Sequence, residues 1–146
     1  IESGVSEGAN LVVDGRGVEA QSSGDGHFLG PTLFDGVTEK MKVGSEEIFG
    51  PVLCISPVDS LDDAIAMAKR HPLANASSIF TSSGHSARTF RYEIDASMAG
   101  VNIGVAAPMS FFGFGGAKGS FFGDLKAHGR EAFDFFTDRK VVISRW

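Results

Sequence analysis

Short apolar runs alternate with helix-like segments through the middle of the chain, and this alternation constrains the fold more than any other feature. The runs cover residues 51–58, 77–80 and 100–103, and each has strand composition. The segments between them, residues 60–70 and 84–96, place apolar residues at helical spacing. A crossover helix between two strands returns the chain in the same direction, so the strands run parallel. The pattern predicts an α/β fold with parallel strands and crossover helices.

The N-terminal segments are less regular. Residues 9–14 have the composition of a strand and lead into a Gly/Ser-rich loop over residues 15–26. Residues 27–34 are aromatic and β-branched, but Gly30 and Pro31 interrupt them. Because proline cannot donate to a sheet ladder, we predict an edge strand or two short pieces there.

The C-terminal segments break the alternation. Residues 104–123 form a long loop rich in Gly and Phe, and loops of this length in a compact domain are usually functional. An apolar stripe predicts a helix over residues 124–137. The closing residues 139–146, RKVVISRW, have strand composition with little that would shield an open edge.

Composition and charge exclude several classes of protein. The chain has 146 residues and a net charge of −5, and its basic residues are scattered, which argues against nucleic-acid and membrane partners. No apolar run approaches the roughly twenty residues of a membrane span. The single cysteine cannot form an internal disulfide and suits a reducing compartment. We therefore expect a soluble, cytoplasmic protein of about one domain.

Few residues have the spacing of a catalytic motif. The histidines are far apart, and no Cys/His spacing typical of a metal site occurs. Residues 113–120, GFGGAKGS, depart from both phosphate-loop motifs, which leaves a pocket-lining loop or a plain Gly-rich turn. Cys54 lies within a buried-strand pattern, which favours packing over a nucleophilic role. We predict no catalytic residue and no metal site in this chain.

The stretch EEIFGPV, residues 46–52, combines two carboxylates with an aromatic ring. In an extended segment adjacent side chains point to opposite faces, so Glu46 and Glu47 cannot converge as an acid/base pair, whereas Glu47 and Phe49 share a face. A carboxylate can accept hydrogen bonds from both hydroxyls of a ribose while a ring packs on a flat heterocycle. The residues alone leave open an exposed glutamate beside a core phenylalanine.

EEIFGPV resembles a signature of the NAD(P)-dependent aldehyde dehydrogenase superfamily, and other landmarks similar to those of the family follow in order. They are GPTLF at 30–34, SIFT at 78–81, GVN at 100–102, FGG at 114–116 and the closing RKVVISRW. The CoA-acylating methylmalonate-semialdehyde dehydrogenase group is the most similar within it. The resemblance to this group is carried by FTSSG at 80–84, KGSFFGDL at 118–125 and the final Arg145 and Trp146.

The resemblance implies roles for three residues. Glu47 matches the family glutamate that binds the nicotinamide ribose, Phe49 the aromatic beside the nicotinamide, and Phe114 a phenylalanine that lines the aldehyde tunnel. It implies NAD as cofactor and CoA as co-substrate. The implied reaction oxidises a semialdehyde of the methylmalonate or malonate type to an acyl-CoA through a cysteine thioester.

The resemblance also implies a division of the chain. Residues 1–138 match the C-terminal part of the family's catalytic domain, with a mostly parallel sheet. Residues 139–146 match the strand through which family subunits pair into a dimer or tetramer. The family's nucleophilic cysteine, general-base glutamate and Rossmann phosphate loop lie upstream of EEIFGPV, so we expect the isolated 146 residues to be inactive.

The sequence leaves two alternatives open. The first is an aldehyde dehydrogenase that hydrolyses its thioester to a free acid without CoA. The second is a non-catalytic oligomerisation or interaction module of the same fold, which the Phe-rich loop and the VVISRW segment would fit.

Overall fold

The computed structural model describes residues 1–18 and 26–146, and part of the predicted Gly/Ser-rich loop, residues 19–25, lies outside them. The helices are α1 (Glu2–Ser6), α2 (Lys42–Ser45), α3 (Leu61–Arg70), α4 (Gly84–Glu93) and α5 (Glu131–Phe135). The strands are β1 (Asn10–Val13), β2 (Thr32–Asp35), β3 (Val52–Cys54), β4 (Leu73–Ala74), β5 (Ala76–Ile79), β6 (Met98–Val101) and β7 (Ala117–Lys118). The chain forms two compact units, unit 1 (Ile1–Asp63) and unit 2 (Ala64–Trp146).

Unit 1 is built on a three-stranded sheet with β2 in its centre. β2 is antiparallel to β1 and parallel to β3. Alternation along β2 buries Thr32 and Phe34 and leaves the residues between and after them half-buried. Phe34 has no solvent-accessible surface and packs in a cluster with Ala9, Val37 and Val43. This small cluster is the core of unit 1.

A close backbone crossing joins the chain after β1 to the chain before β2. The Gly30 N–H donates to the Gly15 carbonyl at 2.9 Å, and the Gly15 N–H donates to the buried Thr32 hydroxyl at 3.1 Å. A Cβ on Gly15 would stand 1.9 Å from the Gly30 carbonyl oxygen. Only glycine fits this crossing, and it fixes the entry of the chain into β2.

Unit 2 contains a parallel pair with a crossover helix. β5 and β6 are parallel and in register from Ala76 with Met98 to Ile79 with Val101, and α4 connects them. The Ser83 hydroxyl caps α4 by accepting the Ser86 N–H at 3.2 Å. This strand, helix and strand have the arrangement that the sequence alternation predicts.

The prediction of one mostly parallel sheet is wrong for the described residues. Their strands form three separate sheets, β1-β2-β3, β4-β7 and β5-β6. The pairings β1–β2 and β4–β7 are antiparallel, and β2–β3 and β5–β6 are parallel. The physical reason is that β3 pairs with the strand before it in sequence and not with the strand after α3.

The prediction of a helix over residues 124–137 is also wrong in its length, because only α5 forms there. Gly129 has a φ of +67°, in the left-handed region, so a right-handed helix cannot run through it. Its N–H donates to the Ser110 carbonyl at 3.2 Å and not to a preceding turn of helix. The apolar stripe that suggested a longer helix leaves Phe133 and Phe136 exposed.

Residues 139–146, predicted as a strand, have no strand structure in this chain. A strand requires a hydrogen-bonded neighbour, and the described part of the chain supplies none for this segment. Val141, Val142, Ile143 and Trp146 are exposed.

Within the described ranges, no helix has the length and apolar character needed to cross a membrane.

Candidate cofactor and substrate sites

The segment that carries Glu47 and Phe49 follows α2 directly. Glu46 at the end of α2 is extended, with φ −106° and ψ 146°, but Phe49 has a φ of +57° in the left-handed region. The alternation rule applies only to continuously extended backbone, so it does not establish that Glu47 and Phe49 share a face. The structure does place both on one short segment of unit 1.

The conformation of Phe49 is unusual for a large side chain. A left-handed residue other than glycine costs on the order of 1–3 kcal/mol, and such outliers cluster at functional sites. The Phe49 ring is 92% exposed, so burial in the described residues does not offset this cost. A ring held outward at such a cost is suited to pack against a ligand.

Glu47 is exposed and free to accept hydrogen bonds. Across residues 1–18 and 26–146, no hydrogen bond or ion pair engages its carboxylate. Glu46, by contrast, lies 3.8 Å from the Lys42 ammonium, one helical turn earlier. Of the two carboxylates, that of Glu47 is therefore the one without a partner in the described ranges.

Cys54 has the surroundings of a packing residue. It lies in β3 beside the Phe34 cluster, and its thiol donates to the Val43 carbonyl at 3.4 Å. Burial raises the pKa of the Cys54 thiol above its ordinary value. A raised pKa lowers the thiolate fraction, so Cys54 is a poor nucleophile.

Phe114 lies in unit 2, on the long loop before β7. Its half-exposed ring is 5.8 Å from the His128 imidazole, centroid to centroid, with 32° between the planes. His128 in turn lines an open groove of ≈ 470 Å³. The groove is lined by residues of the loop and of the α5 region, Ser110, Phe111, Ala127, His128, Gly129, Arg130, Ala132 and Phe133.

The Gly-rich residues 113–120 contain β7 and a turn at residues 119–120, and they do not form a phosphate cradle. The Gly119 N–H donates to the Pro72 carbonyl at 3.0 Å, and the Ser120 N–H donates to the Ala117 carbonyl at 3.1 Å. A phosphate loop needs such amides to be free. A Cβ on Gly116 would stand 2.5 Å from the Ser120 carbonyl oxygen, which explains the glycine there.

Lys118 of β7 anchors this Gly-rich segment to other parts of unit 2. Its ammonium donates to the carbonyls of Lys69 at 2.7 Å and His71 at 3.2 Å, and forms an ion pair with Asp95 at 2.9 Å. The hydrogen bond from Lys118 lowers the pKa of the Asp95 carboxyl below its ordinary value. In the sequence, this role is marked only by the fact that Lys118 stands where a phosphate-loop motif has glycine. The three acceptors of the Lys118 ammonium are distant along the chain, so the sequence does not identify them.

Lys126 also contacts this Gly-rich segment. Its ammonium donates to the Gly116 carbonyl at 3.0 Å and lies 4.1 Å from the centroid of the Phe121 ring. Two lysines thus fix the segment that begins just after Phe114. Neither was predicted from the sequence as a site residue.

Asn102 fixes the start of the long loop. Its side-chain amide pairs with the Thr81 backbone in both directions, accepting the N–H at 2.9 Å and donating to the carbonyl at 3.1 Å. Asn102 has a φ of +57°, a conformation that asparagine tolerates better than most residues.

The described ranges contain no cluster of His, Cys, Asp and Glu suited to a metal ion.

Comparison with known proteins gives one consistent result. A sequence profile described as the aldehyde dehydrogenase family matches residues 1–142. The malonate-semialdehyde dehydrogenase of Halalkalibacterium halodurans is 51% identical over 146 residues, which is 100% of this chain and 30% of that protein. The predicted resemblance to this superfamily and to its methylmalonate-semialdehyde group is confirmed.

Solved structures agree with these matches. The methylmalonate-semialdehyde dehydrogenase of Oceanimonas doudoroffii is 43% identical with a TM-score of 0.92, over 99% of this chain and 30% of that one. An aldehyde dehydrogenase of Mycobacterium tuberculosis complexed with NAD+ is 34% identical with a TM-score of 0.81, over 95% of this chain and 28% of that one. The chain therefore spans about 30% of the length of the relatives it matches.

Proposed function

The chain belongs to the aldehyde dehydrogenase family, and on this premise we propose that it is part of an NAD-dependent oxidoreductase that oxidises a semialdehyde of the malonate or methylmalonate type. The observation that carries the proposal is the exposed ring of Phe49, whose backbone is left-handed, two residues after Glu47, whose carboxylate has no partner in the described ranges. The names of the similar proteins and the NAD+ complex of one of them support it.

The chain's own residues would hold the nicotinamide riboside end of NAD. The Glu47 carboxylate accepts hydrogen bonds from the two ribose hydroxyls, and the Phe49 ring packs against the nicotinamide. Bound NAD supplies the hydride acceptor for oxidation of the aldehyde. In unit 2, Phe114 supplies an apolar wall for the aldehyde, on a loop that Lys118 and Lys126 fix.

We further propose that the acyl group leaves as an acyl-CoA, after a thioester with a cysteine other than Cys54. Cys54 is the single cysteine of these residues, and its thiol is packed and weakly acidic. The 146 residues alone therefore do not turn over. A free thiol suits a reducing compartment, which supports a cytoplasmic location.

Identification of the product separates the acylating reaction from the hydrolytic alternative. The whole protein, meaning the product of the natural reading frame that carries these residues, is incubated with malonate semialdehyde and NAD with and without CoA. Acyl-CoA formed only when CoA is present supports acylation. Free acid at an equal rate in both reactions contradicts it.

Replacement of Glu47 by glutamine tests the cofactor site. The amide offers one acceptor oxygen and no charge, so one charge-assisted hydrogen bond to the ribose is lost. Such a bond contributes about 1.5–3 kcal/mol, so the KM for NAD in the whole protein should rise by roughly 10- to 100-fold. Steady-state kinetics with NAD as the varied substrate measure this.

Glu46→Gln is the matched control, because this adjacent glutamate is also exposed and is engaged by Lys42. It should leave the KM for NAD within about twofold, since an exposed i,i+4 ion pair contributes only tenths of a kcal/mol. Equal kinetics of both variants and the unmodified protein would count against the ribose role of Glu47.

The exposed C-terminal segment also favours assembly of this chain with further copies of itself. We propose that residues 1–138 are part of the catalytic domain and that residues 139–146 pair as a strand with a neighbouring subunit, giving a dimer or tetramer. Val141, Val142 and Ile143 are exposed with strand composition, which supports pairing with an edge outside the chain.

Val142→Pro tests this assembly, because proline removes a backbone N–H that a ladder would use. Val142→Thr is the control, since threonine keeps the N–H and the branched side chain. Light scattering on the whole protein should give a smaller species for the proline variant alone. An unchanged mass would oppose the pairing, whereas assembly without NAD binding would favour the non-catalytic module.

A further inference from the structure

The segment with Glu47 and Phe49 is positioned by its two ends. No backbone hydrogen bond in the described residues involves residues 47–49. On the C-terminal side, the Pro51 carbonyl accepts the Thr32 N–H at 2.8 Å, which ties the segment to β2. On the N-terminal side, the segment continues directly from α2. The orientation of Glu47 and Phe49 therefore depends on how α2 is held.

α2 cannot hold itself, because it has only four residues and no side-chain cap of its own. A helix this short is unstable in isolation, and its first N–H groups have no partners within the helix. Two contacts from outside the helix compensate. The thiol of Cys54 donates to the Val43 carbonyl at 3.4 Å, and the Val43 side chain is buried in the unit 1 core.

The other contact comes from Glu7, at the end of α1. Its carboxylate oxygen Oε2 accepts the Lys42 N–H at 2.6 Å, across 35 residues of sequence. Lys42 is the first residue of α2, so its N–H has no acceptor within the helix, and the preceding N-cap residue, Met41, makes no side-chain cap. A carboxylate at this end is also favoured by the helix dipole.

We propose that Glu7 is a positioning residue for the cofactor site: its carboxylate caps α2 from α1 and thereby orients Glu47 and Phe49 toward NAD. This inference rests on the proposed function. Glu7 does not contact the cofactor in it and acts only through α2. Cys54 has the complementary role of holding the middle of the same helix to β3.

The test is a kinetic comparison of Glu7→Ala and Glu7→Gln in the whole protein. Loss of the cap in Glu7→Ala should raise the KM for NAD by roughly three- to tenfold, the factor to which a lost helix cap corresponds. The turnover number and the KM for the aldehyde should stay within about twofold, since the substrate residues lie elsewhere. Glu7→Gln keeps an acceptor oxygen and should recover most of the affinity.

Glu2→Ala is the matched control, because Glu2 lies on the same helix α1 and is exposed at its first turn. It should leave all three constants unchanged. Equal losses in turnover and in both KM values for Glu7→Ala, with no recovery in Glu7→Gln, would mean general loss of structure and would overturn the proposal.

Glu47→Gln measured in parallel separates this inference from the proposed function. A raised KM for NAD in both Glu47→Gln and Glu7→Ala supports both. A raised KM in Glu47→Gln alone overturns the role of Glu7 and leaves the cofactor site standing. No change in either variant overturns the cofactor site and the positioning role together.

Discussion

Replacing Phe34 with alanine is expected to destabilise the chain by about 3–5 kcal/mol, a large part of the stability of a typical domain. Phe34 is the one large side chain that is fully buried in the described residues. It packs with Ala9, Val37 and Val43, and none of these is large enough to fill the cavity left behind. The described residues of unit 1 contain no second buried cluster that could compensate.

Urea unfolding measures this effect, and hydrogen exchange over residues 1–63 locates it. Phe28→Ala is the matched control, because Phe28 belongs to the same unit but is exposed. Its free energy of unfolding should change by less than about 0.5 kcal/mol, as for most surface substitutions. If the two variants unfolded at the same urea concentration, Phe34 would not be the centre of this core.

The effect of Phe34 also has a functional side. Val43 of α2 packs in the same cluster, and α2 leads directly to Glu47 and Phe49. A loosened core therefore removes the support of the segment that we propose to hold the cofactor. We expect Phe34→Ala to weaken NAD binding as a consequence of lost structure, with turnover and thermal stability falling together.

The elements that depend on local signals could be predicted from the sequence. The pair Ser60 and Asp63 predicts the start of α3, and in the structure the Asp63 N–H donates to the Ser60 hydroxyl at 3.1 Å. The crossover from β5 through α4 to β6 follows from periodicity in the same way. EEIFGPV identified the family, although its residues alone did not establish a cofactor site.

Features that depend on single dihedrals or on distant partners could not be predicted. The left-handed Phe49 breaks the alternation on which the face-sharing argument relied, and the left-handed Gly129 ends the helical stripe. The three acceptors of Lys118 and the cap from Glu7 join residues far apart in sequence. The closing strand lacks a neighbour in the chain, and composition alone cannot supply one.

Replacing Gly15 with alanine is the second change with a large expected effect, and its cause is contact between backbones. The added Cβ would stand 1.9 Å from the Gly30 carbonyl oxygen and 2.9 Å from that of Pro31. Neither atom belongs to a flexible side chain, so the crossing must open. Opening it would break the Gly15–Gly30 hydrogen bond and leave the buried Thr32 hydroxyl without its donor.

Overpacking costs about 1–3 kcal/mol and each lost hydrogen bond about 0.5–1.5 kcal/mol, so we expect Gly15→Ala to lose roughly 3–5 kcal/mol. Urea unfolding of the purified chain measures the loss.

Two other glycines separate this contact from backbone strain. Gly17 has open space around its missing Cβ but a φ of +79°, so Gly17→Ala should lose only about 1–2 kcal/mol, the cost of a left-handed alanine. Gly104 has open space and no such φ, so Gly104→Ala should be neutral or stabilising by up to about 1 kcal/mol. If Gly15→Ala lost no more than Gly17→Ala, the crossing would not be a close contact, and the entry into β2 would depend on the Thr32 hydroxyl alone.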